Sequence, residues 1–71
     1  MMIKRLLRLS DVIEQTGLSR SSIYAKIAEG TFPRTVPIGD RAVAWVEEEV
    51  QAWILEQIDK RHPVGVTAEA Y

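Results

Sequence analysis

The stretch TGLSRSSIYAKIAEG, residues 16–30, constrains the fold of this chain more than any other segment. Gly17 and Gly30 are of the type that ends helices in the left-handed conformation, and Ser19 is a favourable N-cap residue. We therefore expect Ser19 to begin a helix over about residues 20–29, and Gly17 to end an earlier one. Only three residues separate the two helices, so they must cross steeply, as in a helix-turn-helix.

The earlier helix is predicted over about residues 11–16, with Ser10 as its N-cap and Asp11 near the positive end of its dipole. A period of 100° per residue places apolar side chains on one side of each helix. In the second helix this inner face consists of Ile23, Tyr24 and Ile27.

The period changes after residue 31, where two short β-type runs, TVPI and AVAW, flank the turn residues GDR. Gly39 and Asp40 suit a two-residue hairpin turn with glycine at its first central position, which would set Val36 opposite Val43. Pro37 has no N–H to donate and therefore predicts an edge strand. We interpret this hairpin, over about residues 35–44, as a small wing.

The last element, VEEEVQAWILEQIDKR, is predicted as a helix over about residues 46–60. Its apolar stripe contains Val46, Val50, Trp53, Ile54 and Ile58, interrupted by Gln57. Pro63 prevents continuation, so residues 1–62 are expected to form one domain and residues 63–71 a flexible tail. The fold class is mainly α with a small β-hairpin, a winged helix-turn-helix.

Composition excludes several classes of protein. The chain has no cysteine, which excludes a disulfide framework and a thiolate metal site. Its single histidine, His62, cannot assemble a metal site by itself. Consecutive helical residues project 100° apart, so the glutamates at 47–49 cannot converge on one metal and instead suit the helix dipole. We expect no enzymatic activity, no cofactor and no metal. No segment resembles a membrane span or a signal peptide, so a soluble cytoplasmic protein is expected.

Charge is distributed unevenly along the chain. Residues 1–44 contain seven Lys and Arg against four Asp and Glu, whereas residues 45–71 contain two against six. A polyanion would therefore be attracted to the first part and repelled by the last. The alternative is solvated charge scattered over a small surface.

The outward side of the second helix carries only Ser21, Ser22, Ala25, Lys26 and Glu29. This slim, lightly polar face permits close approach to base edges in a DNA major groove. Arg20 can bind a guanine bidentately or grip the backbone, and Lys26 can reach a base or a phosphate. Tyr24 is both a half-buried aromatic and a hydroxyl that can meet a phosphate. The candidate DNA-contacting residues are Ser19, Arg20, Ser21, Ser22, Tyr24, Lys26, Arg34 and Arg41.

Other readings of these and neighbouring residues stay open. The serines also suit the chemistry of a helix start. Arg34 and the tip residue Arg41 would touch phosphates or a minor groove, or else be solvated. Lys4, Arg5 and Arg8 form either an N-terminal arm on DNA or a solvated cluster. Trp45 and Trp53 are expected in the core rather than as stacking platforms for single strands.

Three linked segments, TGLSRSSIY, FPRTVPIG and RAVAWVEEEVQAWI, resemble the AlpA family of phage-type transcriptional regulators over residues 5–58. The family is similar in fold to winged-helix domains of MerR regulators and to phage excisionases. The resemblance implies a sequence-specific regulator that binds double-stranded DNA at prophage or integrated-element genes. It also implies that residues 19–26 form the recognition segment, that residues 39–41 form the wing turn, and that Trp45 is a core aromatic. No small-molecule effector is implied.

Two further functions compete with regulation of transcription. One is an excisionase-like role, in which several copies bend DNA for recombination. The other is a protein-interaction module that has lost DNA binding and uses its acidic last helix. Because one recognition helix reads few base pairs, self-association on adjacent sites is expected, with Leu55 as a candidate contact.

Overall fold

The computed structural model describes residues 3–61, which form three helices and three short strands. In chain order these are β1 (Leu6–Leu7), α1 (Leu9–Thr16), α2 (Arg20–Glu29), β2 (Val36–Pro37), β3 (Val43–Val46) and α3 (Glu47–Lys60). The predicted architecture, mainly helical with a β-hairpin wing, is confirmed. The predicted tail, residues 63–71, and His62 lie outside the described residues.

A three-stranded antiparallel sheet joins the hairpin to the beginning of the domain. Its strand order is β1-β3-β2, with Leu7 opposite Trp45 and Pro37 opposite Val43. Proline occupies an edge strand, as its missing N–H requires. The two-residue strand β1 was not predicted, because a run this short has no readable periodicity and its partner lies far along the chain.

The predicted two-residue hairpin turn is wrong. The N–H of Ile38 donates to the carbonyl of Ala42 at 2.9 Å, so the loop contains the three residues 39–41. Among the described glycines only Gly17 and Gly30 have positive φ, whereas a two-residue turn with glycine first needs positive φ at that glycine. The observed register sets Val36 opposite Ala44, and thereby puts Pro37 on the face of the sheet that also carries Trp45.

The helix ends largely follow their caps. Ser19 accepts from the N–H of Ser22 at 3.1 Å, and Gly17 and Gly30 end α1 and α2 with φ of 77° and 81°, as predicted. The N-cap of α1 is Arg8 rather than Ser10, because the Asp11 carboxylate accepts from the Arg8 N–H at 3.1 Å. This bond draws the first turn two residues earlier than predicted.

The core receives one buried side chain from nearly every element. These are Leu7, Val12, Ile23, Phe32, Trp45 and Val50. Trp45 has no exposed surface, and its Nε1–H donates to the carbonyl of Pro33 at 3.2 Å. The core placement predicted for Trp45 is therefore confirmed, and β3 carries the centre of the domain.

Trp53 lies at the border of this core. Its side chain is half-buried, its Nε1–H donates to the Thr31 carbonyl at 2.7 Å, and its ring meets Phe32 edge-on with centroids 4.9 Å apart. The stripe of α3 becomes exposed beyond this point, at Ile58. Trp53 thus fastens α3 to the segment that follows α2.

We expect Trp53→Phe to lower the free energy of unfolding by about 1 kcal/mol, because it removes the hydrogen bond and keeps an aromatic ring. Trp53→Ala should lower it by about 3 kcal/mol, since the contact with Phe32 is also lost. Urea denaturation followed by far-UV circular dichroism measures both. Two variants within 0.5 kcal/mol of the parent would contradict this role.

Candidate nucleic-acid interface

The outermost side of α2 is built from three very small side chains. Ser21 and Ala25 are exposed, as predicted for this face, and Ala28 is exposed one turn further on. Ala28 was missed, although its spacing of three and seven residues from the other two places it on the same side. Lys26 is half-buried and lies at the edge of this face. These three residues form an uncharged strip, and the exposed carboxylate of Glu29 stands beside it in the last turn of α2.

Ser19 and Ser22 form a small hydrogen-bonded unit at the start of α2. The Ser19 hydroxyl accepts from the N–H of Ser22 and donates to its hydroxyl oxygen, both at 3.1 Å. Ser22 therefore takes part in capping the start of α2 through both its backbone N–H and its hydroxyl oxygen. Its own O–H proton remains available to donate outward.

Arg20 and Tyr24 are brought together one helical turn apart. The guanidinium carbon of Arg20 lies over the Tyr24 ring, 5.8 Å from its centroid. Tyr24 keeps 39% of its surface exposed and packs edge-on against Trp45, with centroids 6.1 Å apart and ring planes inclined at 63°. Tyr24 therefore bridges the surface and the core, which agrees with the predicted half-buried aromatic.

The acidic start of α3 engages part of the basic N-terminal segment. Within residues 3–61 the ion pairs are Lys4 with Glu48 and Arg5 with Glu47, the latter at 3.8 Å. The N–H of Glu47 also donates to the Arg5 carbonyl at 2.8 Å. Two of the three cations considered as an arm on DNA are thus already paired.

The other cations of the candidate interface have no carboxylate within 4.0 Å in the part of the chain that the structure describes. Arg34 follows Pro33, whose carbonyl holds the Trp45 indole, and is exposed. Arg41 is exposed in the hairpin loop, roughly 13 Å along the strand from Trp45. Unpaired cations are thus found before α1, on α2, in the segment after it and in the hairpin loop. The cations concerned are Arg8, Arg20, Lys26, Arg34 and Arg41.

Other chemistry has little support in the described residues. Across residues 3–61, no three side chains of His, Cys, Asp or Glu gather as metal ligands would. Glu47 and Glu48 instead meet Arg5 and Lys4. Among the described helices, none combines the length and the apolar content that a bilayer crossing requires.

Two helices joined by a tight turn, followed by an antiparallel hairpin and a third helix, define a winged helix-turn-helix domain. The chain belongs to the AlpA family: the model for the prophage CP4-57 regulatory protein AlpA matches residues 5–58, from just before β1 to the last turns of α3.

Two curated proteins are similar to this chain. The uncharacterized protein ORF88 of Enterobacteria phage P4 is 45% identical over 82% of this chain, and the match covers 66% of that protein. The DNA-binding transcriptional activator AlpA of Escherichia coli strain K12 is 34% identical, with 75% of this chain and 84% of the activator covered. The matched segment is thus just under two thirds of the phage protein.

Two neighbouring serines differ in their structural role: Ser19 caps α2, whereas Ser21 lies exposed in its first turn. We expect Ser19→Ala to lower the free energy of unfolding by about 1 kcal/mol, because an N–H at the start of α2 loses its acceptor. Ser21→Ala, on the same turn, should change it by less than about 0.5 kcal/mol, since the side chain is exposed. Thermal and urea denaturation of the two variants, side by side, give the comparison. Equal effects would mean that Ser19 does not cap the helix.

Proposed function

We propose that this protein is a sequence-specific regulator of prophage or integrated-element genes that binds double-stranded DNA. The observation that carries the proposal is the uncharged strip of Ser21, Ala25 and Ala28 on α2, flanked by unpaired cations. Family membership and the name of the Escherichia coli relative support the same function.

The dimensions of the recognition helix favour the major groove. A helix with its side chains is about 10–12 Å across, and the groove is about 12 Å wide. Small residues on the leading side let the backbone approach the base edges, whereas long charged residues would hold it away. In helix-turn-helix complexes the first residues of the second helix reach the bases, which is the position of Arg20 and Ser21.

The wing and the half-buried Lys26 supply phosphate contacts in this arrangement. Arg41, at the tip of the hairpin, would lie on the backbone or at a minor groove, and Arg34, which precedes β2 at the opposite end of the hairpin, would lie on the backbone. The acidic α3 must then face away from DNA, and its first turn is already partly neutralised by Lys4 and Arg5. The protein would act in the cytoplasm, without cofactor or small-molecule effector.

The direct test is selection from a pool of random 20-base-pair duplexes at moderate salt, followed by sequencing of the bound fraction. Enrichment of a short shared motif supports the proposal. Sheared DNA from the source organism then separates two roles, because a regulator should be recovered beside promoters and an excisionase-like factor beside attachment sites. A folded protein that retains no duplex would overturn DNA binding and favour a protein-interaction module.

We expect Arg20→Ala to weaken binding to the selected duplex by about 1–3 kcal/mol, because a bidentate contact with a guanine is lost. Binding to a scrambled duplex should change far less. Fluorescence anisotropy with the two labelled duplexes measures the difference. An equal loss on both would make Arg20 a phosphate anchor instead.

Arg41→Ala is the contrasting variant. We expect it to weaken binding to selected and scrambled duplexes alike, and to reduce by about one the slope of log affinity against log salt, because one phosphate contact disappears. A salt titration from 50 to 200 mM gives the slope. An unchanged slope would remove the wing tip from the interface.

A further inference from the structure

We infer that Tyr24 is a positioning residue, whose aromatic ring holds the Arg20 guanidinium in place to read a base. The inference rests on the proposed function and deepens it, because it assigns the specificity of the α2 surface to a pair of residues.

The first step is the contact itself. Arg20 is the first residue of α2 and is exposed, and a free arginine of this kind has much rotamer entropy to lose on binding. Its guanidinium carbon lies 5.8 Å from the Tyr24 centroid, within the range of a cation–π interaction. This contact uses no hydrogen-bond donor of the guanidinium in a conventional hydrogen bond, so its N–H groups stay free for a guanine.

The second step is that Tyr24 is itself held. Its ring meets the fully buried Trp45 edge-on at 6.1 Å. The indole is fixed in turn by the Pro33 carbonyl and by the pairing of β3 with β1. A side chain with 39% of its surface exposed is therefore in contact with the buried core of the domain.

The third step concerns which part of Tyr24 matters. A phosphate contact would need the hydroxyl, whereas positioning of Arg20 needs only the ring. Tyr24→Phe keeps the ring and removes the hydroxyl, and Tyr24→Leu keeps apolar bulk and removes the ring. The two variants therefore separate the two roles.

The experiment measures the affinity of each variant for the selected duplex and for its scrambled control by fluorescence anisotropy. For Tyr24→Leu we expect the ratio of the two affinities to fall about 2- to 5-fold, as the loss of an exposed cation–π contact implies. Tyr24→Phe should retain the parent ratio. The double variant Arg20→Ala with Tyr24→Leu should have the same ratio as Arg20→Ala alone.

A base analogue locates the effect. At the guanine whose contact Arg20→Ala abolishes, 7-deazaguanine removes the N7 acceptor. This replacement should weaken the parent protein and Tyr24→Phe, and should weaken Tyr24→Leu less.

Several results would overturn the inference. They are an unchanged ratio in Tyr24→Leu, an equal loss on both duplexes, and a loss in Tyr24→Phe as large as in Tyr24→Leu. In the free protein, nuclear magnetic resonance should find the Arg20 side-chain protons shifted upfield by the ring, with the shift lost in Tyr24→Leu and kept in Tyr24→Phe. An upfield shift that persists in Tyr24→Leu would overturn the positioning role of Tyr24 and leave the proposed function intact. A parent protein that binds no duplex would overturn both the proposed function and the inference.

Discussion

The burial of Trp45 is the interaction on which the rest of this structure depends. It belongs to the central strand of the sheet, and its fully buried indole is hydrogen-bonded to the Pro33 carbonyl and in edge contact with Tyr24. A domain this small has few large side chains with which to build a core. One tryptophan therefore contacts α2, the segment that enters the wing and the sheet at the same time.

The charged residues of this domain fall into two groups, those that pair within the fold and those that remain unpaired on the surface. The glutamates that begin α3 favour the helix dipole and also meet Lys4 and Arg5. Exposed pairs of this kind contribute little to stability, typically 0–1 kcal/mol. Their larger effect is on the surface field, because they partly neutralise one another, whereas Arg20, Arg34 and Arg41 have no carboxylate within 4.0 Å among residues 3–61. The net charge of −1 therefore says little about which partner this surface attracts.

Local signals made most of the helical part predictable. Gly17, Ser19 and Gly30 act through their own backbone and nearest neighbours, so their effects can be read from a few residues. The N-cap of α1 was predicted at the wrong residue. Ser10 is a favourable residue type for this position, but the Asp11 carboxylate accepts from the N–H of Arg8 and makes Arg8 the N-cap. On the candidate surface, the exposure of Ser21 and Ala25 follows from helical period alone.

Contacts between distant parts of the chain were the features that could not be predicted. The hairpin register depends on which residues must face the core, and the glycine of the turn does not report this. The pairing of Lys4 with Glu48 depends on a strand that only the folded sheet reveals. The contact of Arg20 with Tyr24 was predictable only in part. The spacing of four residues allows it, but Trp45, which packs against the Tyr24 ring, belongs to the distant strand β3.

The position of β1 in the sheet has a consequence for how the chain folds. Leu6 and Leu7 are made first, yet their partners Val46 and Trp45 follow about 40 residues later. At 5–20 residues per second, a ribosome needs about 2–8 s to supply them. The two helices and the hairpin involve only neighbours and form within microseconds once synthesised. The first strand can therefore enter the sheet only after α1, α2 and β2 have been made, once β3 is available, and α3 is synthesised later still.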